Sequence, residues 1–186
     1  MNWTAYLDYF NSIVDATDRT APYDNDDYYQ YTKLNKSRNN RWLKHSPLTK
    51  DTISYIVNEI SQPQQWVVIT EPWCGDAAHI VPVLYLMSEL NPLISFTLQL
   101  RDIDSEIEQY LTNGSKSIPI LIVRDEAGKD LFHWGPRSKE GTILFEQLKA
   151  DQASFDDMKI ALQEFYNADK GIGVQEEVVA LLQATQ

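Results

Sequence analysis

Apolar residues recur along this chain with two different periods, and the changes of period mark its elements. Trp3, Tyr6, Leu7, Phe10 and Val14 fall at helical spacing and predict a first amphipathic helix. "TAPYDNDD" breaks that pattern, and residues 28–45, "YYQYTKLNKSRNNRWLKH", predict a second, mostly polar helix with a weak apolar face, closed by Pro47. Ile53, Ile56, Val57 and Ile60 share one helical face, which "SQPQQ" ends. The next residues, "WVVIT", are a short apolar, β-branched run of the kind a strand buried on both faces requires. Helical spacing then returns at Ile80, Val83, Leu84, Met87 and Leu90 until "NPL" stops it.

The pattern changes again at residues 94–100, "ISFTLQL", a second predicted strand. Residues 102–114 predict a short helix ending at Gly114, and "SIPILIV" predicts a third strand with a proline at its entrance. "RDEAGKD" is a turn, and "LFHWG" is the returning antiparallel strand. A helix follows Arg137, and another begins near Ser154, with Ser154 and Asp157 placed as a capping pair and Phe155, Met158, Leu162, Phe165 and Tyr166 as its apolar face. "GIG" separates a last helix carrying Val174, Val178, Leu181 and Leu182. Strands alternating with helices imply parallel pairing through crossovers, and the hairpin adds an antiparallel edge. The domain division expected from this order is a helical extension at 1–47, an α/β domain at 48–150, and C-terminal helices at 151–186 in the same globule.

Composition narrows the function classes. A net charge of −11 on 186 residues argues against sequence-independent nucleic-acid binding, which rests on neutralising phosphates. The basic stretch "KLNKSRNNRWLKH" reads as a solvated helix face. No run approaches the length needed to cross a bilayer and no signal peptide is evident, so a cytoplasmic, non-membrane protein is expected. One cysteine excludes an intrachain disulfide. His45, His79 and His133 have no metal-ligand spacing, so no metal is expected.

That one cysteine sits in "TEPWCGDAAHIVPVL", where a strand hands over to a helix. A cysteine in a first helical turn is next to unpaired N–H groups and the positive end of the macrodipole, which lower a thiol's pKa. Glu71 and Asp76 oppose this, so a modestly lowered value is expected for Cys74. Asp76 has two readings: an acid or base for a departing thiol, or a helix-start carboxylate that offsets the dipole.

The element order together with "WCGDAAHIVP" resembles the thioredoxin superfamily, whose three-layer α/β/α sandwich surrounds a central mixed sheet of about four strands. That family carries Trp-Cys-Gly-Pro-Cys here and a kinking proline five residues after the second cysteine. Trp73, Cys74 and Gly75 match, Pro82 stands at the kink, Asp76 replaces the proline and Ala77 replaces the second cysteine. Ser117-Ile118-Pro119 is similar to the family's cis-proline loop, and Gly135 to a glycine close to the same surface. "EPWCGDA" with the later "WGPR" further resembles a group of small bacterial thioredoxin-like proteins. The resemblance implies Cys74 and Asp76 as the chemical residues, with Trp73, Ile118, Pro119, Gly135 and Arg137 around a substrate. Arg137 would hold an anionic group, such as a carboxylate of glutathione, or simply start a surface helix.

Two functions stay open. In the first, Cys74 exchanges with protein or peptide thiols and disulfides through a mixed disulfide. Because Ala77 cannot resolve that intermediate, an outside thiol such as glutathione must do so, with no resident cofactor. The family's buried aspartate is also replaced, by Val68. In the second, the Cys74–Pro119 surface binds an extended peptide without chemistry. A peroxidase is disfavoured, since Glu71 stands where such members carry threonine.

Overall fold

The apolar run at residues 66–70 lies in the middle of the sheet. The computed structural model describes residues 1–45 and 47–185. Strand β1 (Gln64–Thr70) is flanked on both sides, and every side chain from Trp66 onward is buried. Strand β2 (Ile94–Leu100) pairs parallel to it, with Gln64 opposite Ile94 and Thr70 opposite Leu100. Strands β3 (Ile120–Asp125) and β4 (Asp130–Trp134) complete a four-stranded mixed sheet in the order β2-β1-β3-β4.

Two expectations fail together, for one geometric reason. β3 runs antiparallel to β1, with Ile69 opposite Ile120, so it starts at the end of the sheet where β2 stops. The connection therefore turns around one end of the sheet and needs no crossover helix. In place of the helix expected at 102–114 there is a single 3-10 turn, Ile107–Gln109, among other turns. β4 returns antiparallel beside β3, as the hairpin pattern predicts.

Seven helices surround the sheet among the described residues: α1 (Trp3–Val14), α2 (Asp26–His45), α3 (Lys50–Glu59), α4 (Gly75–Ser88), α5 (Lys139–Ala150), α6 (Phe155–Asp169) and α7 (Ile172–Ala184). α4 is the one that organises them. It is buried nearly all round, from Asp76 to Leu84 and again at Met87 and Ser88, as a helix enclosed on every side must be. β1 and β2 cover one side of it, α2 a second, and α3 and α7 the rest. Helices outside the sheet thus complete the core around α4.

Several predicted faces rotate slightly. In α3, Thr52 and Ile56 point inward with Ile60 just beyond, while Ile53 and Val57 are exposed. In α1, Ile13 is buried with Trp3, Tyr6 and Phe10, and the Trp3 ring stacks on Tyr85 at 4.4 Å. The capping pair at α6 forms: the Asp157 N–H donates to Ser154 Oγ at 3.1 Å, and Ser154 Oγ donates to the Asp157 carboxylate at 2.6 Å. Phe155, assigned to that helix's apolar face, is 75% exposed, and only Tyr166 is fully inside. α2 differs most from expectation. Its inward stripe is mostly polar, with Thr32, Asn35, Arg38 and Asn39 buried against the molecule beside Trp42. No helix among the described residues is long and apolar enough to cross a membrane.

Candidate functional site

Cys74 is the N-cap of α4, with extended backbone geometry (φ −76°, ψ 119°) that lets its side chain turn back over the first turn. The Ala77 N–H donates to its sulfur at 3.5 Å, as a capping group should receive. The thiol in turn donates to the carbonyl of Ile118 at 3.4 Å. That contact brings the α4 start against the Ser117–Pro119 loop, whose Ile118–Pro119 peptide bond is cis. Gly135, in the turn after β4, supports the loop from behind. Its φ is +126°, and a Cβ there would lie 2.3 Å from the Pro119 carbonyl oxygen, so the close approach requires glycine.

Asp76 is held at both oxygens. The Tyr166 hydroxyl donates to Oδ1 at 2.7 Å, and Arg137 Nη2 pairs with Oδ2 at 2.5 Å. Arg137 also lies over the Phe145 ring, 3.9 Å from its centroid. The arginine expected to receive a ligand's anionic group is therefore committed to Asp76, and through it α4, α5 and α6 are tied together.

These groups border a cavity of about 610 Å³, within the size range of small-ligand pockets. Trp73, Cys74, Asp76, Ile118 and Arg137 line it; Pro119 and Gly135, packed against each other, are not part of its lining. The far wall comes from parts of the chain that the motif did not single out. α2 contributes Tyr28, Tyr31 and Arg38, and α6 contributes Phe155, Met158, Lys159 and Tyr166. Tyr31 closes tightly on the cysteine loop: a Cβ on Gly75 would meet its hydroxyl at 2.5 Å. Asn35 fastens α2 to the same loop by donating to the Pro72 carbonyl at 3.0 Å. Polar residues recurring at helical spacing (Asn35, Arg38, Asn39) were the sequence signal for this wall, but such a stripe reads equally well as a solvated face.

Enclosure by α2 and α6 reverses the expected state of the thiol. Cys74 is only 7% exposed, and burial, aided by the Asp76 charge, pushes its pKa up to about 12 despite the helix-start N–H groups. The modestly lowered value expected from the dipole does not hold, because desolvation of a thiolate outweighs the Ala77 and Asp76 N–H groups and the Arg137 charge. Two neighbours show the same dry environment. Burial raises Glu71 to about 7, although the Asp102 N–H donates to its carboxylate at 2.9 Å. Burial and the nearby Arg38 and Arg41 charges lower His79 to about 3, leaving a neutral ring that accepts from Trp42 Nε1 at 3.0 Å and stacks on Tyr166. His79 is thus a structural acceptor. Val68 is fully buried, so no acid lies beneath the site at that position.

Comparison with known proteins agrees with this geometry. No curated protein matches the chain. Two solved structures share its fold across nearly the whole length. One is a protein of unknown function from Pseudomonas aeruginosa, 16% identical, with a TM-score of 0.59 over 100% of this chain and 99% of that one. The other is an HIV epitope-scaffold, 15% identical, with a TM-score of 0.58 over 99% of each chain. At those identities the likeness speaks for the fold alone. A family model described as thioredoxin matches residues 21–149, from just before α2 to the end of α5. With well over half its length matched, and with the Trp-Cys-Gly helix start packed against the proline loop, this chain belongs to the thioredoxin family.

Proposed function

We propose that this chain uses the thioredoxin scaffold to bind a ligand in this cavity, with Cys74 as a held, protonated thiol in its wall. The observation that carries this reading is the placement of the sulfur: 7% exposed, donating to Ile118, with its pKa pushed up to about 12. At neutral pH almost none of it is thiolate, the form that attacks disulfides. Asp76 does not offer a ready base, since each of its oxygens already has a partner. The Ile118 carbonyl, a group through which an extended peptide would pair, already accepts the thiol. The cavity is therefore the better-supported receiving surface than the loop edge.

Thiol exchange is the second reading, and one observation favours it: Cys74 borders the cavity beside the proline loop, where a substrate disulfide would lie. There the Cys74 thiolate would attack one sulfur of a disulfide, form a mixed disulfide and release the other sulfur as a thiolate. An outside thiolate would then attack the mixed disulfide, take the substrate's sulfur into a new disulfide and restore Cys74. The two readings separate on incubation with oxidised glutathione at neutral pH followed by intact mass. Binding alone predicts an unmodified native chain that is modified only after unfolding. A glutathione adduct on the native chain would establish exchange instead.

A further inference from the structure

The charge around the cavity runs opposite to the charge of the chain. The whole sequence carries 27 acidic against 16 basic residues, yet among the described residues the cavity is lined by Arg38, Arg101, Arg137 and Lys159 against two carboxylates, Asp27 and Asp76. Most of these charges already have partners. Arg137 pairs with Asp76, Arg101 with Asp102, and Lys159 with Asp156. Asp27 is exposed at the mouth.

Arg38 differs. It is 9% exposed, donates through Nη1 to Asn35 Oδ1 at 2.8 Å, and lies 5.0 Å from the centroid of the Tyr31 ring. Its Nε is shielded from solvent with no hydrogen-bond partner, and among the described residues no carboxylate pairs with it. A guanidinium removed from water loses much of its hydration, which one amide oxygen and a ring face offset only in part. Arg38 lines the cavity, and its Nη2 has no hydrogen-bond partner among the described residues; a guanidinium donor placed there matches a carboxylate, sulfonate or phosphate.

The rest of the lining describes the remainder of the ligand. Tyr28, Tyr31, Trp73, Phe155 and Met158 present flat rings and a deformable thioether, surfaces that take up an apolar, planar body. We propose that this cavity binds a small organic anion with a flat apolar body, its acidic group held by Arg38 and its body packed between Tyr31, Trp73 and Met158. The inference rests on the binding reading and adds the chemical class of the ligand. Arg38 fills the role that the sequence suggested for Arg137, which is already engaged.

Two fluorescent probes of similar shape test it on the full chain: anilinonaphthalene sulfonate, which is anionic, and N-phenyl-naphthylamine, which is neutral. The expected result is one saturable site that prefers the sulfonate by about tenfold or more, the size of a charge-assisted hydrogen bond. Arg38→Gln should remove about that preference and leave the neutral probe's affinity unchanged. Should Arg38→Gln fail to fold, Met158→Glu places a repelling carboxylate in the half-exposed wall and should abolish sulfonate binding. Displacement of the probe by phenylacetate or by phenyl phosphate then tells which acid is preferred. Equal affinity for the two probes, or a folded Arg38→Gln or Met158→Glu chain that binds the sulfonate like the parent, overturns the proposal. Glutathionylation of Cys74 is read separately by mass, so failure of the binding reading and failure of the anion assignment give different results.

Discussion

The cavity has two walls, and they differ in how completely their polar groups are used. The inner wall is the α4 start, the proline loop and Arg137. There the thiol donates to Ile118, Asp76 bonds to Tyr166 and Arg137, and Gly135 lets the loops touch. The outer wall is α2 and α6. There Arg38 pairs with no carboxylate among the described residues, and Phe155 is 75% exposed. Arg137 Nε is a leftover on the inner side, but its guanidinium is already neutralised by Asp76. Internal partners stabilise a fold; a charge without one is left for a ligand to neutralise. On the binding reading proposed above, the motif that looks catalytic has a structural duty, and recognition falls to the helices that look ancillary.

Changes to the inner wall should therefore cost stability first. Gly135→Ala would drive a Cβ into the Pro119 carbonyl at a φ of +126°, where neither backbone has room to yield. We expect a loss of about 4 kcal/mol or more by urea denaturation, or no soluble product. Arg137→Met leaves the Asp76 carboxylate buried with only the Tyr166 hydroxyl, and should cost about 3 kcal/mol by the same measurement. If Arg137→Met is neutral in stability, the inner wall is not the saturated structure described above.

Glu71 sharpens the picture through pH. Its folded-state pKa is raised from 4.5 to about 7, so the folded chain holds this proton more tightly than the unfolded chain does. Its stabilising contribution is full below about 4.5 and is lost as the pH rises through about 7. Glu71→Gln should thus gain on the parent across that window, by roughly 2 kcal/mol, and run parallel to it above. Denaturation of both chains at pH 4, 6 and 8 checks this; parallel curves throughout would remove the dry environment assigned to the inner wall.

The smallest effect is expected at the seam between the walls. Gly75→Ala meets the Tyr31 hydroxyl, the far end of a movable side chain, and should cost about 1 kcal/mol. In a Tyr31→Phe background the same change should cost less, because the clashing oxygen is gone. Equal costs in both backgrounds would show that α2 does not close on the cysteine loop.

What could be read from the sequence follows the range of the interactions responsible. β1, the β3–β4 hairpin and the Ser154 cap depend on neighbouring residues, and local pattern was enough to find them. The direction of β3 depends on where β2 ends relative to β1, which spacing alone does not encode. For the site, the motif put Cys74, Asp76 and Ile118 in one place because each sits at a strand–helix junction or strand entrance. The state of the thiol was illegible for a different reason. Desolvation at Cys74 comes from packing by parts of the chain far away in sequence, Tyr6 and Tyr166 among them, and Tyr166 reaches Asp76 across 90 positions. The inward face of α2 is not legible in the sequence because buried polar residues and solvated ones share the same letters.

The most direct test of the protonated-thiol account is the rate of Cys74 alkylation by iodoacetamide between pH 6 and 11, compared in the native chain and in urea. A thiol at about 12 has far less thiolate near neutrality than a free one at ~8.5, and the higher basicity of that thiolate recovers part of the rate. The native rate should be about a hundredfold or more below the unfolded rate at pH 7 to 9, with no inflection below pH 10. A native profile that turns over at or below pH ~8.5, at the rate of the unfolded chain, would contradict it.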